Sequence, residues 1–274
     1  MTKTAVKTVG VVGAGRMGTP IIGHLVRRKF AVRVADVDAS RADAVRKLGA
    51  TWAGSAQSLA AECDAILVCV GFDSEVRELF AEGGPLRKAR RGAIVAILST
   101  IHPKTVQDLA RQVEGAGIQV VDSTVCRGGE AADSGTLLSF VGGDAKTVKR
   151  LTPVLRAYSS DVVHTGGVGT AQVAKAANNL ILWACLVADH EGLALAQRYG
   201  VDVEALRPAL LMSSCANGPL EKWGTQTMAW AEDDMAIVAE MAAEAGIALP
   251  QAELNRQVCR ALKPRRYKLD QYGR

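Results

Sequence analysis

The sequence predicts an α/β fold with a doubly wound, mostly parallel sheet, followed by an all-helical C-terminal domain. Three observations carry this. Short apolar runs alternate with helical patterns over the first part of the chain, which implies a parallel sheet covered on both faces. A glycine-rich turn joins the first strand to the first helix. Beyond about Thr165 only helical patterns remain. With 274 residues and 49% hydrophobic composition, the chain is long enough for one large domain or two modest ones, each with its own core.

The elements follow in order. Val9 to Val12 reads as a strand, and Met17 to Arg28 as a helix with Ile21, Ile22 and Leu25 on its apolar face. Val32 to Ala35 is a second strand. Ser40 to Leu48 is a second helix, with Gly49 just past its end. Ile66 to Val70 and Ile94 to Leu98 are further buried strands. Thr105 to Glu114 is a helix and Gln119 to Val121 a strand. Leu137 to Val141, ended by Gly142-Gly143, begins another unit. From Ala171 to Gln197 a helical pattern runs with Gly192 as its one breaker. Val203 to Met212, Glu232 to Glu244 and Pro250 to Leu262 follow, with Gly200, Gly218 and Gly246 at the joints. The boundary falls at Gly166 to Gly169, dividing the chain into residues 1–166 and 167–274.

Composition excludes some classes. No run of eighteen or more apolar residues marks a membrane span. Met1 to Lys7 lacks the pattern of a signal peptide. The net charge of +5 is mild. Lys263, Arg265, Arg266 and Lys268 form a basic tail that reads as a solvated segment or subunit contact rather than a nucleic-acid arm. The six cysteines show neither paired nor zinc-ligand spacing, so no metal is expected and a reducing, cytoplasmic setting is. Cys63, Cys69 and Cys185 read as small buried hydrophobes.

Two constellations carry chemistry. Gly13-Ala14-Gly15-Arg16-Met17-Gly18 has the G-x-G-x-x-G spacing, follows a strand and opens a helix. Gly13 permits the tight turn, Gly15 lets the backbone approach a pyrophosphate, and Gly18 lets helix and strand pack closely. The helix N-terminus then presents N–H groups and partial positive charge to the phosphates. Asp36 ends the next strand about twenty residues on, where an acid bonds the ribose hydroxyls and repels a 2′-phosphate. NAD is therefore expected over NADP, with Asp38 adding repulsion. Arg33 and Arg41 lie near enough to serve a 2′-phosphate, so NADP stays open. This is the pattern of a Rossmann-type dinucleotide-binding domain. The second constellation is Lys175, Asn178 and Asn179. Lys175 and Asn179 share a helix face, within an otherwise apolar stretch from Val173 to Trp183. A lysine there needs a partner or a cleft, and such surroundings suit proton transfer near neutral pH.

Four blocks together resemble the β-hydroxyacid dehydrogenase family, which includes 3-hydroxyisobutyrate dehydrogenase and tartronate semialdehyde reductase. They are Val11 to Gly18; Ser99-Thr100-Ile101-His102-Pro103, similar to S-T-I-x-P; Asp122 to Gly143, similar to the D-A-P-V-S-G-G substrate loop and the G-T-L after it; and Gly169 to Asn179, similar to G-x-x-x-x-x-K-x-x-N-N. The resemblance implies hydride transfer between NAD and the hydroxyl carbon of a 3-hydroxy acid, or reduction of the matching semialdehyde. Lys175 would be general acid and base, and Asn179 would orient it or the substrate. Cys126, Arg127, Gly128 and Asn178 would hold the substrate. Ala14, Arg16, Met17, Thr100 and the backbone at Cys69 and Val70 would touch the cofactor. It also implies a homodimer or homotetramer with its site in the cleft between the domains.

The chain departs from the family pattern at three places. Cys126 replaces a serine and Arg127 a glycine. Asp233, in Asp233-Asp234-Met235, stands where the family carries a substrate-binding lysine; Arg127 could supply the missing positive charge. Trp183, Trp223 and Trp230 could line a roomier pocket, or form core or interface. These departures keep two alternatives open: an imine reductase-like oxidoreductase, disfavoured by Lys175, and a nucleotide-binding sensor or scaffold without catalysis.

Overall fold

The computed structural model describes residues 5–273. What the sequence suggests for Met1–Thr4 and for Arg274 lies outside the described residues. The chain divides into two compact units, Met1–Lys175 and Ala176–Arg274.

The first unit runs β1 (Thr8–Val12), α1 (Gly18–Arg27), β2 (Ala31–Ala35), α2 (Ala42–Lys47), β3 (Thr51–Trp52), α3 (Ala56–Glu62), β4 (Ala65–Val68), α4 (Asp73–Leu79), β5 (Ile94–Ile97), α5 (Pro103–Gln112) and β6 (Gln119–Asp122). It continues through β7 (Val125–Cys126), α6 (Gly128–Ser134), β8 (Leu137–Gly142), α7 (Ala145–Leu155) and β9 (Ser159–Gly166), and ends in the first turns of α8 (Thr170–Arg198). The sheet order is β3-β2-β1-β4-β5-β6-β8-β7, with β9 on β8. From β3 to β6 every pairing is parallel; β8 turns antiparallel to β6 and β7. The chain leaves β1 in one direction along the sheet and returns in the other to β4. Crevices for ligands open at such a switch point, at the carboxyl ends of the strands.

Strand alternation divides the core into two layers. Val9, Val11, Leu67 and Ala96 face one layer with Ile21 and Leu25 of α1. Val12, Ile66, Val68 and Val95 face the other with Leu59 and Val106. A strand buried on both faces reads as a continuous apolar run, which is why β4 and β5 stand out in the sequence.

In the second unit α8 continues to Arg198, followed by α9 (Val203–Leu211), α10 (Gly218–Glu221), α11 (Ala231–Ala245) and α12 (Pro250–Leu262). Its core gathers Trp183, Leu186, Met235, Val238, Cys259 and Leu262. The basic tail is no free arm. Its basic side chains flank Tyr267, whose N–H donates to His190 Nε2 at 2.9 Å, and Leu269, which is buried. Gly246 ends α11 in a left-handed conformation as expected of a joint. Gly218 instead opens α10, capped by the Asn217 side chain, which accepts from the Leu220 N–H at 2.9 Å.

Among the described residues α8 is the one helix long and apolar enough to cross a membrane by length and composition. Its Gln172 and His190 are buried and hydrogen-bonded within the protein, as in a core helix.

Candidate active site

The glycine turn sits between the carboxyl ends of β1 and β4. Gly13 adopts φ +98°, and a Cβ there would fall 2.9 Å from the Cys69 carbonyl carbon. A Cβ at Gly18 would fall 3.0 Å from the Gly13 carbonyl carbon and closer still to its oxygen. Both positions are closed to any side chain. Gly15 differs: a Cβ would meet only the end of the Arg41 side chain, at 3.2 Å. The bare backbone at Gly15 therefore serves something other than the fold, which fits a dinucleotide pyrophosphate at the start of α1.

Asp36 lies at the rim of this turn. Its Oδ2 accepts from the Ala14 N–H at 2.6 Å and from Arg41 Nη1 at 3.2 Å, and its Oδ1 from the Asp38 N–H at 2.9 Å. A carboxylate has about four lone-pair positions, so capacity remains for ribose hydroxyls. Arg41 is already engaged by Asp36 and Asp38. Arg16 projects to α6, where it forms a paired bond with Asp133, both contacts at 2.7 Å. The Cys69-Val70 segment is fixed by Ser99, whose Oγ donates to the Val70 carbonyl at 2.9 Å and accepts from its N–H at 3.1 Å. Thr100 follows, half-buried. Cys69 and Cys185 are only partly buried, whereas Cys63 is fully so, and burial pushes the Cys63 thiol up to about 11.

Lys175 stands in the second turn of α8. Its Nζ donates to the Val125 carbonyl at 2.8 Å and lies 3.9 Å from Cys126 Sγ. The sheet thus brings the catalytic candidate against the loop that resembles the family's substrate segment. Cys126 is 5% exposed and Lys175 half-buried.

Arg127 goes elsewhere than its sequence position suggests. Its Nη1 donates to the Thr136 carbonyl at 3.0 Å, to Ser160 Oγ at 2.9 Å and to Asp161 Oδ2 at 2.7 Å. This corrects the expectation that its guanidinium is a free carboxylate-binding charge: Nη1 is engaged by Thr136 just before β8 and by Ser160 and Asp161 of β9. Its backbone keeps the glycine-like conformation of the family pattern, φ +83°, which is unusual for a long side chain. Gly128, at φ +76°, then begins α6.

In the second unit Asn179 is 3% exposed and accepts from Asn178 Nδ2 at 3.0 Å. Asp233 is exposed in the first turn of α11, between Glu232 and Asp234. Three acids there suit the positive end of the helix, which gives Asp233 a local reason to be acidic. Asp234 Oδ2 accepts from Trp183 Nε1 at 2.9 Å, and Trp183 is core. Trp223 packs on His190 and Tyr267, and Trp230 is exposed. Among the described residues no group of three or more His, Cys, Asp or Glu side chains gathers as a metal site.

Sequence reasoning passed over Gln172. It is buried, accepts from the Ile101 N–H at 3.0 Å and donates to the Ser99 carbonyl at 2.8 Å. It ties the Ser99-to-Pro103 segment to α8. The available signal was a polar residue one turn before Lys175 on an apolar helix.

Residues 8–167 match the family described as the NAD-binding domain of 6-phosphogluconate dehydrogenase. Residues 169–271 match the family described as NAD-binding of NADP-dependent 3-hydroxyisobutyrate dehydrogenase. A probable 3-hydroxyisobutyrate dehydrogenase-like mitochondrial protein of Arabidopsis thaliana is 28% identical over 93% of this chain and 80% of its own. The NAD-dependent L-serine dehydrogenase of Pseudomonas aeruginosa is 29% identical over 78% of this chain and 72% of its own. The structure of a Mycobacterium tuberculosis 3-hydroxyisobutyrate dehydrogenase with L-serine superposes with a TM-score of 0.85, at 23% identity and 93% coverage of both chains.

Proposed function

Because the chain belongs to the β-hydroxyacid dehydrogenase family and is an NAD(P)-dependent dehydrogenase of hydroxy acids, we propose that it oxidises a 3-hydroxy acid, or reduces the matching semialdehyde, with Lys175 as the acid–base group. The observation that carries this reading is the Lys175 ammonium on the Val125 carbonyl, beside Cys126 in the loop similar to the family's substrate segment.

The residues divide the work. Bound at the Gly13-to-Gly18 turn, the nicotinamide cofactor supplies the hydride acceptor in oxidation and the donor in reduction. Ala14 to Gly18 and Asp36 hold and orient it. Ser99 fixes the Cys69-Val70 backbone, which together with Thr100 touches the cofactor. The backbone at Cys126, Arg127 and Gly128 holds the substrate carboxylate at the start of α6. Lys175, as a neutral amine, takes the hydroxyl proton while the carbon–hydrogen bond breaks; as an ammonium it returns that proton to the carbonyl oxygen in the reverse direction. The Val125 carbonyl aims Nζ. Asn178 and Asn179 complete the polar stretch of α8 that orients lysine or substrate.

The substrate class has chemical support. The serine and 3-hydroxyisobutyrate named for the relatives both carry a hydroxyl on the carbon β to a carboxylate. A backbone cradle for the carboxylate, with Lys175 at the hydroxyl, fits that spacing. The Asp36 carboxylate favours NAD over NADP. Six free cysteines fit a reducing, cytoplasmic setting. The exposed Ile181 and Leu195 of α8 fit a homodimer or homotetramer.

Following NADH and NADPH formation with a panel of 2- and 3-hydroxy acids tests this reading. Turnover restricted to 3-hydroxy acids, with NAD preferred, is expected. Cofactor binding without turnover on any acid or semialdehyde contradicts it.

A further inference from the structure

The loop after β6 and the start of α8 are joined by buried hydrogen bonds. Asp122, the last residue of β6, is fully buried. Its Oδ1 accepts from the Gly169 N–H at 2.7 Å and its Oδ2 from the Gln172 N–H at 2.9 Å. These donors belong to the opening turn of α8, where the helix itself offers no acceptor. Gly169 has no side chain with which to cap the helix, so the cap comes from a strand 47 residues earlier. Thr124 Oγ1 donates to the Ala171 carbonyl at 3.0 Å, and Lys175 closes the series on the Val125 carbonyl at 2.8 Å. Residues 122, 124 and 125 are thus pinned in order to α8 from its N-terminus up to the lysine.

The carboxylate has little freedom. Gly142 faces Asp122 in the β6–β8 pairing, and any side chain there would collide with Oδ1. Burial raises the Asp122 carboxyl above its ordinary range, while the N–H groups of Gly169 and Gln172 pull it back. A negative charge at the positive end of α8 is favourable.

We propose that Asp122 is the positioning residue of Lys175: by capping α8 it fixes the helix's rotation and height against the 122–126 loop, and so sets where Nζ meets the substrate hydroxyl. The inference rests on the reading of Lys175 as the acid–base group. Misplacing a catalytic group by about 1 Å can cost on the order of 100-fold in rate.

Asp122→Asn keeps the shape but turns an amide donor toward one of the two N–H groups. It should lower kcat at least about 10-fold on L-serine or 3-hydroxyisobutyrate, with KM and the NAD Kd within about twofold. A second readout needs no turnover. In the reductively 13C-methylated protein, the Lys175 resonance, assigned by its loss in Lys175→Arg, should move in Asp122→Asn while the other lysines stay. If Lys175→Ala retains turnover, the acid–base reading fails and the positioning role with it. If Lys175→Ala is inactive but Asp122→Asn keeps both its kcat and the Lys175 resonance, the positioning role alone is overturned. It is equally overturned if NAD binding and KM weaken in parallel with kcat, which is what general loosening of the fold produces. Should Asp122→Asn fail to fold, Thr124→Val carries the test. A several-fold loss confined to kcat is expected, and unchanged kcat with an unmoved Lys175 resonance refutes the proposal.

Discussion

A single methyl group at Gly15 should separate cofactor binding from folding. In the free protein a Cβ at Gly15 meets only the flexible end of Arg41, at 3.2 Å, so Gly15→Ala should fold as the parent does. Gly18→Ala should not, because its Cβ lies 3.0 Å from a backbone carbonyl carbon, well inside the usual carbon–carbon contact of about 3.5–4.0 Å. Overpacking of that kind costs about 1–3 kcal/mol, or several degrees of melting temperature at about 2–4 °C per kcal/mol in a chain of this size. With cofactor the order reverses for Gly15. Its methyl occupies the space the pyrophosphate needs, and losing one charge-assisted N–H bond costs about 1.5–3 kcal/mol, hence roughly 10- to 100-fold in NAD affinity. Thermal melts and NADH fluorescence titrations on both variants provide the assay. Gly15→Ala should melt within about 2 °C of the parent yet bind NADH at least about 10-fold more weakly. Undiminished NADH binding by Gly15→Ala would refute the placement of the pyrophosphate on this turn.

Three further outcomes follow from the geometry. Arg127→Ala should leave KM for the hydroxy acid within about twofold, because the guanidinium is engaged by Asp161 and exposed salt bridges are worth only about 0–1 kcal/mol; a large rise in KM would restore it as the carboxylate anchor. Cys126→Ser should raise kcat/KM by about 2- to 10-fold, since a hydroxyl replaces a weak thiol donor in a bond worth about 0.5–1.5 kcal/mol; steady-state kinetics on 3-hydroxyisobutyrate decides it. His190 is held neutral by its partners: Nδ1 donates to the Leu186 carbonyl at 2.7 Å and Nε2 accepts from the Tyr267 N–H at 2.9 Å. Burial lowers its pKa from the ordinary 6.5, so the unfolded chain takes the proton first and the stabilisation present above pH 6.5 is lost as pH falls below it. The urea midpoint should therefore drop between pH 7.5 and 5.5, and His190→Gln should flatten that slope.

The sequence made much of this legible, for physical reasons. β1, β4 and β5 are buried on both faces, so their apolar runs leave little other reading. The turn from Gly13 to Gly18 shows itself because close approach excludes any Cβ at its first and last glycine. α8 announces itself by length. Some of the elements passed over are short or exposed: β7 has two residues, α10 has four, and β9 exposes much of its length. Such segments are defined by their pairing partners rather than by periodicity. Lys175 was legible as a charge on an apolar helix, but its Val125 partner was not, because a backbone acceptor leaves no sequence mark. Arg127 misled for a related reason. Residue type fixed its charge, whereas Asp161, 34 residues on, decides where that charge goes.

The most direct test of the central claim is the kcat of Lys175→Ala for 3-hydroxyisobutyrate or L-serine oxidation, measured beside its NAD affinity. General acid–base catalysis contributes about 10²- to 10⁴-fold, so kcat should fall by that factor while the NAD Kd stays at the parent value. A Lys175→Ala enzyme that turns over at the parent rate would contradict the account.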